Sequence, residues 1–291
     1  MSIRHILLAL LVVAIWGFNF VVIKITILEM PPFLAAAIRF FLAAFPLILF
    51  IKPPKNKLGK TPWLLIIGFG LTFGFALYAL LNFALFVGLP AGLGSLILQV
   101  QAFFTMFIAY LILKERPKNI QITGAFIAFF GIGIIAYYRW ESANLFPFIL
   151  AILAAITWAF ANIITKLLGK INPFSLAIWG SFFAAIPLFI LSFVFEGFNE
   201  LVKFITEPNL SLYIMLFFAA YPATILGLAI WNWLLIKYPT SNVAPFSLLV
   251  PITGLIFGQI LLGETIVLNE IIGGSLVIFG LGVTLLRFKA R

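Results

Sequence analysis

Apolar residues occupy long stretches of this chain, and short segments rich in Pro, Gly, Lys and Arg interrupt them at regular intervals. A helix needs about 20 consecutive, mostly apolar residues to cross a bilayer. Strands of a membrane barrel are instead short segments of alternating polarity, which this chain lacks. The pattern predicts an all-α polytopic membrane protein with ten transmembrane helices, at residues 5–27, 32–51, 62–86, 90–113, 119–138, 145–168, 173–195, 211–236, 242–262 and 268–288.

The second half of the chain repeats features of the first half. Pro32 and Pro46 recur at an offset of 141 residues, and Asn82 recurs as Asn232 at an offset of 150. We therefore predict two five-helix repeats, residues 1–141 and 142–291. Because five is odd, the second repeat enters the membrane inverted relative to the first. Inverted repeats are typical of secondary transporters, which bind substrate near the bilayer midplane between the repeats.

Lys and Arg in the short loops predict the orientation, since these residues concentrate on the cytoplasmic side. Four lysines lie in residues 52–60, and three cations lie in residues 114–118. With the N-terminus inside, both of these loops, Lys170, Lys237 and the basic tail fall on one face. Both termini are thus predicted to be cytoplasmic, in a multi-pass protein of the cell inner membrane.

Composition removes several classes of function. The chain is 64% hydrophobic and 9% charged, which excludes an ordinary soluble domain. Its net charge of +10 is not arranged in basic runs, so we expect a lipid bilayer and no nucleic acid as its surroundings. There is no cysteine or aspartate and only one histidine, so we predict no metal, no cofactor and no enzymatic activity.

Polar side chains within the predicted spans are candidates for a substrate cavity, because such groups are costly at membrane depth. Trp16 and Asn19 share one face of span one, and Trp158 and Asn162 echo them in span six. Gln101, Thr105, Thr224 and Trp231 add further polarity. Gly92, Ser95 and Gln99 share one face of span four, and Ser247, Pro251 and Gly254 share the corresponding face of span nine. Tight helix packing through small residues is the alternative explanation for these two faces. The predicted substrate-binding residues are Trp16, Asn19, Arg39, Tyr78, Asn82, Ser95, Gln99, Trp158, Asn162, Asn232 and Ser247.

Three cationic or titratable side chains each have more than one possible role on the sequence alone. Arg39 lies about two turns into span two, where it either binds an anionic substrate or bonds helix-end carbonyls. Lys24 either reaches the outer interface or takes part in substrate binding or coupling, and His5 is a second coupling candidate. Glu270, the third residue of span ten, is the one acid within the predicted spans, so no acid lies at membrane depth, which disfavours a simple organic cation and favours a neutral or zwitterionic solute.

Four stretches carry a resemblance to a known family: LLVVAIWGFNFVVIK (10–24), MPPFLAAAIRF (30–40), GLPAGLGSLILQVQAFFT (88–105) and VAPFSLLVPITGL (243–255). They resemble the ten-helix exporters of the drug/metabolite transporter superfamily, which carry two EamA domains. The resemblance implies export of cysteine, O-acetylserine or related small amino-acid metabolites through a central cavity between the repeats. We expect alternating access from the inverted repeats, and a monomer. Transport of other amino acids or small drugs, outward or inward, is the alternative.

Overall fold

A computed structural model describes residues 1–55, 59–114, 119–141, 145–169, 171–237, 246–247 and 249–285, without the side chains of residues 139–141, 232, 235–236, 281 and 284–285. Every regular element within these ranges is helical, as the sequence predicts. The α-helices are α1 Ile3–Glu29, α2 Pro32–Ala44, α3 Trp63–Phe69, α4 Leu77–Phe86, α5 Ala91–Leu98, α6 Gln101–Leu113, α7 Asn119–Glu141, α8 Leu145–Leu168, α9 Pro173–Phe195, α10 Phe198–Thr206, α11 Leu210–Phe218, α12 Gly227–Lys237, α13 Leu249–Leu262 and α14 Leu268–Leu285.

Eight helical segments in the described ranges are long and apolar enough to cross a membrane, and two shorter apolar helices follow at Leu249–Leu262 and Leu268–Gly280. The protein is therefore a multi-pass membrane protein. Each of the ten predicted segments contains helix, but residues 242–245 and 248 of the ninth and 286–288 of the tenth lie outside the described residues. The count of ten spans, the five-helix repeats and the orientation of the termini stay predictions.

The fourth predicted span is interrupted, although the sequence predicts a continuous helix over 90–113. α5 ends at Leu98 and α6 begins at Gln101. At the break, the Gln99 amide donates to Leu96 O at 3.1 Å and the Val100 amide donates to Ile97 O at 3.0 Å. These i to i−3 bonds tighten the helix locally. The interruption matters because Gln99 lines the central cavity.

The second predicted span also ends earlier as regular helix. α2 stops at Ala44, before a cis peptide bond between Phe45 and Pro46, and a short 3₁₀ helix follows at Leu47–Leu49. Proline lacks the amide hydrogen that a continuing helix needs and its ring crowds the preceding turn. The span predicted over 32–51 thus corresponds to the apolar helical segment Pro32–Leu49, but its α-helix ends at Ala44 and does not run through the whole segment.

Two π-helical turns lie at corresponding places in the two halves of the chain. Gly70–Ala76 joins α3 to α4, and Ala219–Leu226 joins α11 to α12. A π turn has i to i−5 hydrogen bonds, is rare, and is frequent at functional sites. Both turns adjoin the central cavity.

The short helix α10 was not predicted, because its segment contains charged residues between two spans. Glu200 and Lys203 lie on the same helix as three exposed apolar side chains, Phe198, Val202 and Ile205. A helix with such apolar and charged residues suits the interface between lipid and water.

Small residues bring paired helices into close contact. α7 and α14 form the most extensive helix pair, and a Cβ added at Gly131 would lie only 2.4 Å from Gly273 O. A Cβ at Gly280 would lie 2.5 Å from Gly124 O. These glycines lie in predicted spans five and ten, where small residues favour close helix packing over a ligand site, and here they let the two helix backbones approach. α2 packs on α9 and α5 packs on α13, which leaves the cavity between these pairs.

Candidate functional site

A cavity of about 460 Å³ lies at the centre of the helix bundle. Its size falls within the range usual for small-molecule sites. Eight of the predicted substrate-binding residues line it: Trp16, Asn19, Arg39, Tyr78, Gln99, Trp158, Asn162 and Ser247. The fold thus brings together residues from spans one to four, six and nine.

Arg39 is the only charged residue among the described residues that line this cavity. Its side chain is 4% exposed. Nε and Nη2 donate to Thr224 Oγ1 at 3.3 and 3.0 Å, and Nη2 also donates to Tyr78 OH at 3.2 Å. Nη1 is buried and has no hydrogen-bond partner. The sequence left two roles open for Arg39, binding an anionic substrate or bonding helix-end carbonyls. Its hydrogen bonds go to the side chains of Thr224 and Tyr78 and not to helix-end carbonyls.

The guanidinium also stacks on an aromatic ring. Arg39 Cζ lies 4.4 Å from the centre of the Tyr78 ring. Such a cation–π contact stabilises a desolvated cation but does not neutralise its charge. No carboxylate lines the described cavity, so the buried charge has no opposite charge beside it. A buried cation of this kind favours an anionic ligand.

Asn19 supplies a free acceptor in the same cavity. Its side chain is 6% exposed and its Oδ1 has no hydrogen-bond partner. A buried amide oxygen without a partner costs free energy that a ligand's N–H group can recover. Two residues of the cavity lining therefore carry a buried polar atom without a partner in the protein, the donor Nη1 of Arg39 and the acceptor Oδ1 of Asn19.

An amide cluster forms another part of the wall, where α6 begins. Asn162 Nδ2 donates to Gln101 Oε1 at 2.6 Å and to Thr105 Oγ1 at 3.0 Å. Thr105 Oγ1 in turn donates to Gln101 Oε1 at 3.3 Å. These bonds join α8 to α6 beside the helix break. Asn162 and Gln101 both line the cavity.

The wall opposite this cluster uses the π turn of residues 219–226. Trp16 Nε1 donates to Ala223 O at 3.0 Å, and its ring centre lies 5.3 Å from that of Trp231. Trp16 is thus fixed by a bond across the bundle.

Five predicted site residues are not among those that line the cavity, and the side chain of one of them lies outside the described part of the chain. Asn82 is buried and its Nδ2 donates to Pro32 O at 3.1 Å. Ser95 is fully buried, donates to Gly92 O at 2.6 Å and packs against Gly254. The side chain of Asn232 lies outside the described part of the chain. The other two are the coupling candidates Lys24 and His5.

Lys24 and His5 lie outside the cavity lining as well. Lys24 Nζ donates to the carbonyl oxygens of Leu85 and Leu89, so it does not simply reach the outer interface. A cation there suits the carboxyl end of α4. His5 lies near the start of α1, where its ring makes an edge contact with Trp233 at 5.0 Å.

Two glutamates lie beyond the spans and bind helix N-termini. Glu196 accepts from the amides of Phe33 at 2.7 Å and Leu34 at 2.9 Å, at the start of α2. Burial raises the pKa of Glu196, although the two amide bonds oppose this. Glu264 accepts from the amides of Ala91 and Gly92 at the start of α5. Each bond joins the first half of the chain to the second.

Some lining residues carried no usable signal in the sequence. Phe69 and Phe73 stack with ring centres 5.3 Å apart, and Phe73 meets Trp158 edge-on at 6.1 Å. The chain has 35 phenylalanines, so nothing marks these two as cavity residues before the fold is known. Pro173 and Thr165 line the cavity where α9 begins and α8 approaches its end.

Several known proteins are similar to this chain in sequence or in fold. A protein of Salmonella typhimurium named "Probable amino-acid metabolite efflux pump" is 39% identical over 290 residues, which cover 98% of this chain and 95% of that protein. The protein of the same name from Escherichia coli is 37% identical over 297 residues, covering 100% and 98%. A solved crystal structure matches with a TM-score of 0.61 over 98% of both chains, and at 17% identity it shows a shared fold alone. A sequence profile described as "EamA-like transporter family" matches residues 3–137 and 145–286, and the chain belongs to this family.

Proposed function

We propose that this protein is a secondary transporter of the cell inner membrane that exports small amino-acid metabolites, cysteine and O-acetylserine among them, through its central cavity. The observation that carries the proposal is Arg39, whose buried Nη1 has no partner and which shares the described cavity lining with no carboxylate. The two relatives named as efflux pumps support the direction and the class of substrate.

The free groups of the cavity fit a zwitterion. A substrate carboxylate accepts from Arg39 Nη1, and its ammonium donates to Asn19 Oδ1. The aromatic side chains Trp16, Phe73 and Trp158 surround the remainder of the molecule. Gln99, Ser247 and the amide cluster supply further polar contacts for a substrate side chain.

The topology we propose has ten spans in two inverted repeats, residues 1–141 and 142–291, with both termini cytoplasmic. Support comes from the lysine-rich loops and from the pairing of α2 with α9, α5 with α13 and α7 with α14, which are equivalent helices under the repeat. In this orientation, Pro173 and Thr165 lie toward the cytoplasm. The Glu196 and Glu264 bonds lie on the opposite side.

Alternating access follows from this arrangement. Substrate enters where Pro173 and Thr165 line the cavity and binds at Arg39. Exit requires the other side to open, which separates contacts such as those of Glu264 with Ala91 and Gly92. Substrate shifts the equilibrium between the inward-open and outward-open states by the difference between its affinities for them.

Counterflow into proteoliposomes tests the proposal. Vesicles that contain the protein and unlabelled cysteine or O-acetylserine are expected to accumulate the labelled compound. Empty vesicles, which contain no protein, are not expected to accumulate it. Arg39→Gln is expected to abolish the accumulation, whereas Thr123→Val, on the exposed face of α7, is the matched control. Flux equal to that of empty vesicles across a panel of amino acids would refute the function.

A further inference from the structure

The repeat offsets pair the polar cluster Arg39, Tyr78 and Thr224 with three positions in the other half of the chain that carry no polar side chain. At the offset of 141 residues that pairs Pro32 with Pro173, Arg39 corresponds to Gly180. At the offset of 150 residues that pairs Asn82 with Asn232, Thr224 corresponds to Gly74 and Tyr78 to Leu228. The cluster Arg39, Tyr78 and Thr224 therefore has only glycine and leucine at the related positions.

The counterpart positions are filled by neighbouring groups. A Cβ added at Gly180 would lie 2.7 Å from Cδ1 of Phe69, and one at Gly74 would lie 2.3 Å from Cβ of Ala184. A side chain at either position would collide with its neighbour, so neither position can carry a second cation. Arg39 is thus the one cationic group among the described residues that line the cavity.

Thr224 holds the guanidinium of Arg39 in place. Its hydroxyl donates to Ala219 O at 2.8 Å, a carbonyl five residues earlier in the π turn. A hydroxyl has one donor and two acceptor sites, and the two N–H groups of Arg39 occupy the acceptor sites. Thr224 is 5% exposed, so water does not compete for these bonds.

The geometry leaves one nitrogen of the guanidinium for a ligand. Nε and Nη2 are held by Thr224, and Nη2 also by Tyr78. Only Nη1 lacks a partner. A planar guanidinium fixed at two nitrogens presents the third in one direction, which favours recognition of a carboxylate over a neutral carboxamide.

We propose that Thr224 is the positioning residue of a single anion-binding pole, which it creates by fixing Nε and Nη2 of Arg39 so that Nη1 receives one carboxylate. This inference rests on the proposed function for its biological meaning, but binding alone tests it. The π turn is the structural reason that Thr224 reaches Arg39, because it redirects the helix that carries Thr224.

The experiment compares Thr224→Val, which keeps the shape and removes the hydroxyl, with Thr224→Ser, which keeps the hydroxyl. Thermal stabilisation of the purified protein is titrated with propionate and with propionamide, which share shape and differ in charge. The wild-type protein and Thr224→Ser are expected to prefer propionate. Thr224→Val is expected to lose about tenfold in its affinity for propionate, with no change for propionamide.

Thr224→Ala serves as a second variant if the valine substitution prevents folding, and it is expected to show the same loss. The inference is overturned if the variants without the hydroxyl keep the wild-type preference, or if Thr224→Ser loses it too. It is also overturned if the wild-type protein does not distinguish propionate from propionamide. Absence of cysteine counterflow with the propionate preference intact would instead reject the proposed substrates and leave the anion pole standing.

Discussion

Asn162 and Gln101 are joined by a 2.6 Å hydrogen bond between the middle of α8 and the first residue of α6. The bond crosses from one half of the chain to the other at the cavity wall. It also fixes the orientation of Gln101 directly after the helix break at Gln99 and Val100. The pair therefore links the stability of the bundle to the shape of the candidate site.

A double-mutant cycle on this pair is expected to show coupling. Asn162→Ala and Gln101→Ala each remove the bond, and each is expected to lower the free energy of unfolding by about 1 kcal/mol, a usual size for polar bonds between membrane helices. The double variant is expected to lose at least about 0.5 kcal/mol less than the sum of the two. Thermal unfolding in detergent measures this, and strict additivity would show that the bond contributes nothing.

Gly131 and Gly133 give a matched test of helix packing between α7 and α14. Gly131→Ala places a Cβ 2.4 Å from Gly273 O and is expected to cost about 1–3 kcal/mol through overpacking. Gly133→Ala meets no atom within 4 Å and is expected to be neutral or slightly stabilising, since Ala favours helix over Gly. Melting temperatures of the two purified variants measure the difference. Equal melting temperatures would contradict the close approach.

The sequence predicts the helical class and most helix bounds because long apolar runs leave the backbone no alternative in lipid. It does not predict the break at Gln99, the early end of α2 or the π turns. These depend on how a residue is bonded to neighbouring helices, which periodicity does not encode. α10 was missed for a related reason, since an interfacial helix such as Phe198–Thr206 lacks the length and apolarity of a span.

The site was predictable to the extent that polarity marks it. Trp16, Asn19 and Arg39 stand out among apolar neighbours, and they line the cavity. Asn82 stands out equally but points its Nδ2 at Pro32 O instead. The sequence cannot separate these cases, because a buried amide satisfies itself as well on a backbone carbonyl as on a ligand.

Glu196 is expected to make stability depend on pH in a definite direction. Burial raises its pKa above the ordinary 4.5, so the folded protein takes up a proton here before the unfolded chain does. Its contribution is complete below about pH 4.5 and is lost as pH rises through the raised pKa. The Coulombic effect of Glu200 acts in the same direction.

Glu196→Gln is the variant that tests this, because glutamine keeps one of the two acceptor oxygens that bind Phe33 and Leu34 and does not titrate. Relative to this variant, the wild-type melting temperature is expected to rise as pH falls from 7.5 toward 5. Glu196→Ala removes both acceptor oxygens and is expected to be less stable than Glu196→Gln by about 1 kcal/mol at every pH, because neither variant titrates at this position. A constant difference between wild type and Glu196→Gln across this range would exclude the shifted pKa.

Asn19 and Asn82 separate a ligand-binding amide from a structural one. Both are buried, and each has an Oδ1 without a hydrogen-bond partner, but only Asn19 lines the cavity. Asn19→Ala is expected to raise the KM for cysteine about tenfold, because the substrate ammonium loses a charge-assisted bond. Its melting temperature is expected to stay near that of the wild type, since no bond from Asn19 Oδ1 within the protein is lost.

Asn82→Ala is expected to do the opposite, because it breaks the bond from Nδ2 to Pro32 O at the start of α2. Stability is expected to fall by about 1 kcal/mol with little change in KM. Counterflow kinetics with cysteine and with its desamino analogue 3-mercaptopropionate complete the test. Asn19→Ala should weaken transport of cysteine and leave that of 3-mercaptopropionate unchanged, because the analogue has no ammonium group. A similar loss for both compounds would mean that Asn19 shapes the cavity without binding the ammonium.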